Sequence, residues 1–234
     1  MSNRLFGAAA CFLAITSSTL GQNAASPSSA EELLNVVIEK YRTLKSYSAD
    51  GTFIHGTPPD REDDRGSLQI RFARPSLRFE SQSTLGPIRM HRIWWSNEGA
   101  NYAWSTLWPR VNTFSADAVY AACWHAGGGP AYVFPEILDQ RFAIKRGGPH
   151  LASLPPMMLQ PDQVVDDTDC YHLILKNGAA MPDQSYDLWI AKNDLLIRKF
   201  HYRIGAGWHE EIYRNIQVDV ELPEDTFRIA APGS

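Results

Sequence analysis

The sequence predicts a single α+β domain built from one N-terminal helix and a serial antiparallel sheet. Two observations carry that prediction. Leu34, Val37, Ile38, Tyr41 and Leu44 recur at helical spacing on one stripe. From Tyr47 onward the hydrophobic period changes from helical to two, and short alternating runs are separated by turn residues almost to the C-terminus. At 234 residues, with 44% hydrophobic and 21% charged residues, the chain is long enough to bury a sizeable core. The formal net charge is −4, from 22 Lys+Arg against 26 Asp+Glu. No basic excess is present to hold phosphates, which weighs against nucleic acid as a partner. Seven Trp, nine Tyr and ten Phe give the chain a marked aromatic load.

The elements follow in order. Arg4 is the only charged residue before Glu31, and residues 5–20 are apolar or small, the proportions of a secretory signal peptide. Residues 1–21 are expected to leave on export, with cleavage after Gly21 or Ala25, and an uncleaved anchor is the alternative. Residues 22–29 read as a flexible leader, and a single domain is expected over 30–234. Ser28 and Glu31 have capping-box spacing ahead of a helix expected over Ala30 to Lys45. Strands are expected around Tyr47–Phe53, Leu68–Phe72, Leu77–Phe79, Ile88–Trp95 and Asn101–Ser105, with an exposed hairpin loop from Gly56 to Arg65. The stretch 106–160 is expected to interrupt the sheet as an insertion. It carries a helix over Ala116–His125 capped by Ser115, another helical turn within Ala131–Leu138, and irregular chain from 147 to 162. Strands are expected to resume near Gln163, with further runs at Tyr171–Leu175, Tyr186–Ile190, Leu196–Ile204 and Trp208–Val220.

Motifs with chemistry are few. Cys11 leaves with the signal, and Cys123 and Cys170 remain as an even pair, either bridged in an oxidising compartment or buried as separate thiols. Cys123 and His125 precede a Gly-rich turn, but residues two apart on a helix do not face one another, so a nucleophile is not expected there. His209-Glu210-Glu211 lacks the second His of a zinc-protease helix. His172, His201 and His209 fall on three expected strands and read as solvated outer-face residues rather than metal ligands. The run Asp60 to Asp64 reads as a solvated loop, not a calcium site. No phosphate-binding loop, dinucleotide fingerprint or nucleophile elbow is present, so no cofactor, no metal and no enzyme activity are expected, a hydrolase built on Cys123 or on the histidines with a carboxylate being the remaining alternative.

Three stretches together carry a resemblance. They are Tyr41-Arg42-Thr43-Leu44-Lys45-Ser46-Tyr47 followed by Ala49-Asp50-Gly51-Thr52-Phe53, then Leu188-Trp189-Ile190-Ala191-Lys192-Asn193-Asp194-Leu195-Leu196-Ile197-Arg198-Lys199, and finally Tyr213 to Val220 with Leu222-Pro223, Phe227 and Pro232. In this order they resemble the LolA/LolB-like periplasmic lipoprotein-carrier superfamily. The resemblance implies a curved antiparallel sheet forming an incomplete β-barrel, with helices plugging its concave face. It also implies a periplasmic, monomeric carrier or binder of a lipid or lipoprotein acyl chain, with a role in outer-membrane biogenesis. The alternative it allows is a non-catalytic sensor or interaction module that binds an envelope protein on the same sheet. An apolar cavity is then expected to be lined by Phe53, Ile70, Phe72, Phe79, Trp94, Trp104, Tyr186, Leu188, Phe200 and Tyr202, each on the apolar side of its strand.

Overall fold

The computed structural model describes residues 27–57, 61–85, 87–97, 100–114, 134, 137–138, 157–176 and 184–228. Helix α1 runs over Ala30–Thr43 and buries Leu33, Leu34, Val37, Ile38 and Tyr41, the stripe expected from spacing. Its N-cap is Ser29, whose hydroxyl accepts from the Glu32 backbone N–H, while the Glu32 carboxylate accepts from the Ser28 N–H and hydroxyl. The capping box is therefore one residue later than Ser28/Glu31, because the Ser29 backbone is extended at φ −145° and the helix begins only beyond it. The helix stops at Thr43, two residues before the expected end, where Leu44 turns to extended backbone.

Eleven strands follow: β1 (Ser46–Gly56), β2 (Glu62–Ala73), β3 (Ser76–Leu85), β4 (Ile88–Asn97), β5 (Ala100–Ser105), β6 (Trp108–Phe114), β7 (Met157–Val165), β8 (Thr168–Lys176), β9 (Gln184–Ala191), β10 (Ile197–Ile204) and β11 (Gly207–Val218). A 3-10 turn at Glu224–Phe227 ends the described chain. Two strands correct the sequence reading. Trp108–Phe114 and Met157–Val165 both pair with neighbours inside or across the edge of the stretch 106–160 that was expected to interrupt the sheet. Among the described residues both are outermost strands, with one side unpaired, where Pro109 and Pro161 are tolerated, so their sequences lack the clean alternation of inner strands. The β1–β2 loop is likewise shorter than expected, since β2 already starts at Glu62. The helix expected over 116–125 lies outside the described residues, whereas Phe134, Ile137 and Leu138 are helical and at most 1% exposed.

The described strands form one antiparallel sheet in the order β6-β5-β4-β3-β2-β1-β11-β10-β9-β8-β7. The chain thus lays down one half of the sheet from β1 outward, crosses to the opposite edge through residues 115–156, and returns inward to β11. The two halves meet where β1 pairs with β11, joining Tyr47 to Val218. A flat sheet of this many strands would be about 48 Å wide at the usual inter-strand spacing, yet α1 is 14 residues, or about 21 Å, long. One continuous core nonetheless joins α1 to Trp94 on β4 and to Leu173 on β8, consistent with a sheet that curves around the helix. Tyr41 pins the helix to the second half, because its hydroxyl accepts a hydrogen bond from the buried Ile197 N–H at 2.9 Å. No helix of the described residues is long and apolar enough to cross a membrane.

Candidate functional site

Alternation along the strands gives the sheet an inner face, under α1, and an outer face. Nine of the ten residues expected to line a cavity do lie on the inner side. Phe53, Ile70, Phe72, Phe79, Trp94, Tyr186, Leu188 and Phe200 belong to the main core, and Tyr202 packs partly buried against it. Phe79 lies against Trp94 at 5.4 Å between ring centroids, and Tyr186 stacks on Tyr202 at 4.9 Å. Trp104 is the exception. It joins Ile93 and Trp95 in a separate outer cluster flanked by Tyr102. Trp94 is directly opposite Ala103 on β5, so the small residue faces inward beneath the large indole and its neighbour Trp104 must face out.

What covers the inner face is protein. Phe72, Leu188 and Phe200 have no exposed surface. At one end, Tyr41 of α1, Tyr47 of β1, Phe134 and Tyr213 of β11 form an aromatic cluster with neighbouring ring centroids 5.0–5.7 Å apart. Arg74, in the β2–β3 turn, donates hydrogen bonds to the carbonyls of Leu44 and Leu138, tying the end of α1 to the same cover.

The inner face is not apolar throughout. His209, Glu211 and Tyr213 alternate inward along β11, and Glu211 is fully buried. Its carboxyl accepts from the Tyr213 hydroxyl and is hydrogen-bonded to His209 Nε2. Burial pushes the Glu211 carboxyl above its ordinary range, against the pull of His209 and the two hydrogen bonds. Phe53 stacks on His209, and His55 lies 6.0 Å from the same ring. Next to His55 in the β1–β2 register is Asp64, 8% exposed. That placement corrects the reading of Asp60–Asp64 as a solvated loop, because β2 already carries Asp64 on its inner side. His209 is corrected too: it is a buried inner-face residue. His172 and His201 are on the outer face as expected, but packing around Asp187 and Trp189 leaves His172 buried and His201 half-buried rather than solvated, with His201 Nδ1 3.0 Å from the Asp187 carboxylate and the His172 ring parallel to Trp189 at 4.4 Å. Among the described residues no group of three or more His, Cys, Asp or Glu is arranged to hold a metal ion. Sequence reasoning missed Asp64, Ser83, Arg92, Glu211 and Tyr213. Asp64 and Ser83 sit at inward positions whose outward neighbours are equally polar, so alternation gave no signal, whereas Arg92, Glu211 and Tyr213 have the apolar Ile93 or Ile212 as an outward neighbour, so alternation pointed them the wrong way.

Two grooves lie elsewhere. One of about 550 Å³ runs along β5 and β6 past Trp104, Leu107 and Trp108. The other, about 530 Å³, lies beside the β7–β8 turn, where Asp166 and Asp167 both have positive φ.

Cys170 is a free, buried thiol in an outer cluster with Val165, Trp189 and Ala191, and Cys123 lies outside the described residues. The expected bridge between them thus falls outside the described residues; the Cys170 thiol donates to the Thr168 carbonyl. Burial pushes that thiol up to about 11. Native protein at pH 8 is expected to leave Cys170 unlabelled by a thiol reagent that modifies it fully in denaturant, and rapid native labelling would contradict this burial.

No protein-family model matches the sequence, and no curated protein matches it. Solved structures do match the fold. An uncharacterized conserved protein from Thermus thermophilus aligns at TM-score 0.53 and 11% identity, over 86% of this chain and 93% of that one. The lipoprotein LppX of Mycobacterium tuberculosis aligns at TM-score 0.50 and 10% identity, over 83% of this chain and 97% of that one. A LolA superfamily protein from Nitrosomonas europaea also aligns, at TM-score 0.39 and 12% identity, over 86% and 98%. At these identities the likeness concerns the fold alone, which this chain shares with the Thermus thermophilus protein and with LppX.

Proposed function

We propose that this protein is an exported, periplasmic binder or carrier of an acyl chain, from a lipid or a lipidated protein, and that the chain lies on the inner face of the curved sheet. The observation that carries this reading is the continuous apolar and aromatic surface running from Phe79 and Trp94 on one half of the sheet to Tyr186, Leu188 and Phe200 on the other. The LolA-like fold supports it at the level of analogy.

The cover sets a condition on the ligand. Helix α1 is anchored by the Tyr41–Ile197 hydrogen bond, but Phe134, Ile137 and Leu138 belong to the connection between the two edge strands. Exchanging those three side chains for a ligand breaks no strand pairing. Leaving them unburied would cost about 5–9 kcal/mol in all. A chain of about ten methylenes gains roughly 8 kcal/mol on burial and does no better than break even, whereas about sixteen gain roughly 13 kcal/mol. Tryptophan fluorescence titrations with saturated fatty acids, below their aggregation limits, are therefore expected to show a threshold, with no response at ten carbons or fewer and saturable binding at sixteen. Absence of any response to long chains would remove the carrier reading.

A second reading then stands, that of an interaction module. It draws on the closed inner face and on the exposed Leu107, Trp108 and Val111 at and beside edge strand β6, where Trp108 is 56% exposed.

A further inference from the structure

We infer that Asp64, Ser83 and Arg92 form a recognition wall for the polar head of the bound amphiphile, and that this head is uncharged and carries hydroxyl or amide groups, as a monoacylglycerol does; the inference rests on the inner face being an acyl-chain site.

Strand register places these residues. Asp64 on β2 pairs with Leu85, so Ser83, two residues along β3, is its diagonal neighbour. Ser83 pairs with Met90, so Arg92, two residues along β4, is the next diagonal neighbour. An acid, a hydroxyl and a guanidinium thus form one diagonal line across three adjacent strands, with steps of about 7–8 Å. They share the inner face with Leu68, Phe79 and Trp94 of their own strands, each separated from its strand-mate by an even number of residues.

Each of the three has unused hydrogen-bonding capacity, Asp64 and Ser83 in buried places and Arg92 in a half-buried one. Asp64 Oδ1 and Ser83 Oγ are buried without a hydrogen-bond partner, their residues being 8% and 7% exposed. Buried polar atoms in a finished fold are nearly always paired, so two orphans side by side point to a partner from outside the chain. Arg92 donates to the Met90 thioether, a weak acceptor. Burial depresses its guanidinium, and the Asp64 carboxylate offsets this only in part. No salt bridge joins Asp64 to Arg92, since β3 separates their strands.

The sign of the surroundings selects the head. A phosphate or carboxylate drawn to Arg92 would also meet Asp64 and, beyond Phe53, the buried Glu211. An ammonium drawn to Asp64 would meet Arg92. A neutral head that both donates and accepts satisfies the acid, the hydroxyl and the guanidinium together, without bringing an unpaired charge into the core. Glu211 takes no part, because His209 and Tyr213 already occupy its two oxygens. The chain would leave this wall across β1 and β11 toward the apolar side, where Phe200, Leu188 and Leu173 continue the register row of Glu211 through β10, β9 and β8.

The test compares three sixteen-carbon probes on the full chain at pH 7.5: monopalmitoylglycerol, palmitate and hexadecylamine. Monopalmitoylglycerol is expected to bind about tenfold more tightly than either charged probe. Ser83→Ala is expected to bring that preference to within twofold by weakening monopalmitoylglycerol, and Asp64→Asn to do so by also relieving the repulsion of palmitate. Ser83→Ala removes only an unpartnered hydroxyl, so it keeps the test decisive if Asp64→Asn folds poorly. Equal or tighter binding of palmitate or hexadecylamine, or a full preference retained in Ser83→Ala, would overturn the inference while leaving the acyl-chain reading standing. Failure of all three probes to bind would overturn both.

Discussion

Trp94→Ala is expected to lower stability by about 3–5 kcal/mol, a fall of roughly 10 °C in thermal midpoint for a domain of this size. Trp94 has no exposed surface and packs against Phe79 in the core that α1 shares. Removing the indole leaves a cavity flanked by Ala103, which is too small to fill it. The same substitution is expected to abolish the response to long-chain fatty acid, because the ring is part of the inner face. Trp104→Ala separates the two effects. It truncates a side chain of similar size in the outer cluster, so it is expected to cost about 1–3 kcal/mol and to leave fatty-acid affinity within twofold. Thermal melts and fluorescence titrations of both variants are the measurement. Loss of binding in Trp104→Ala with retention in Trp94→Ala would place the ligand on the wrong face of the sheet.

Glu211 is the second site where a large effect is expected. Glu211→Ala removes the acceptor from the buried Tyr213 hydroxyl and from His209, and is expected to cost about 3–5 kcal/mol. Glu211→Gln keeps the shape and an acceptor, and its effect should depend on pH. The carboxyl is raised by burial in the folded protein, so the fold holds its proton more tightly than the unfolded chain does. The associated stability is fully present below the ordinary carboxylate range and is lost as pH rises through the folded value. The thermal midpoint of Glu211→Gln relative to the native protein is therefore expected to become more favourable as pH rises from 4 to 8. His55 and His172, both pushed down by burial, titrate in the native protein and the variant alike and cancel in that difference. A midpoint difference that moves the other way would contradict a Glu211 carboxyl raised by burial.

The candidate site was legible in the sequence in proportion to how far polarity sorted the two sides of each strand. In β9, Tyr186, Leu188 and Ile190 alternate with Ser185 and Asp187, and the inner side follows directly. In β5, Asn101, Ala103 and Ser105 alternate with Tyr102 and Trp104, which suggests the opposite facing from the one found. There the inward side was decided by the bulk of Trp94 across the strand pair, which alternation within β5 does not report. Asp64 was hidden for a related reason. It belongs to a charged run, and only its pairing with His55 shows that the strand has begun and that the carboxyl points inward.

The sequence by itself determined the local structure: the helix from its stripe and most strands from their period. These features rest on neighbours within about four residues, where spacing alone dictates which side chains share a side. The tertiary structure decided what no local pattern contains. It joined Tyr47 to Val218 and so made one curved sheet from two meanders. It set the two edge strands far apart in the strand order and placed Phe134, Ile137 and Leu138 of their connection on the aromatic face. It also aligned Asp64, Ser83 and Arg92 across three strands. Such contacts depend on strand register, and a shift of one residue in any pair would turn every side chain of that strand to the other face.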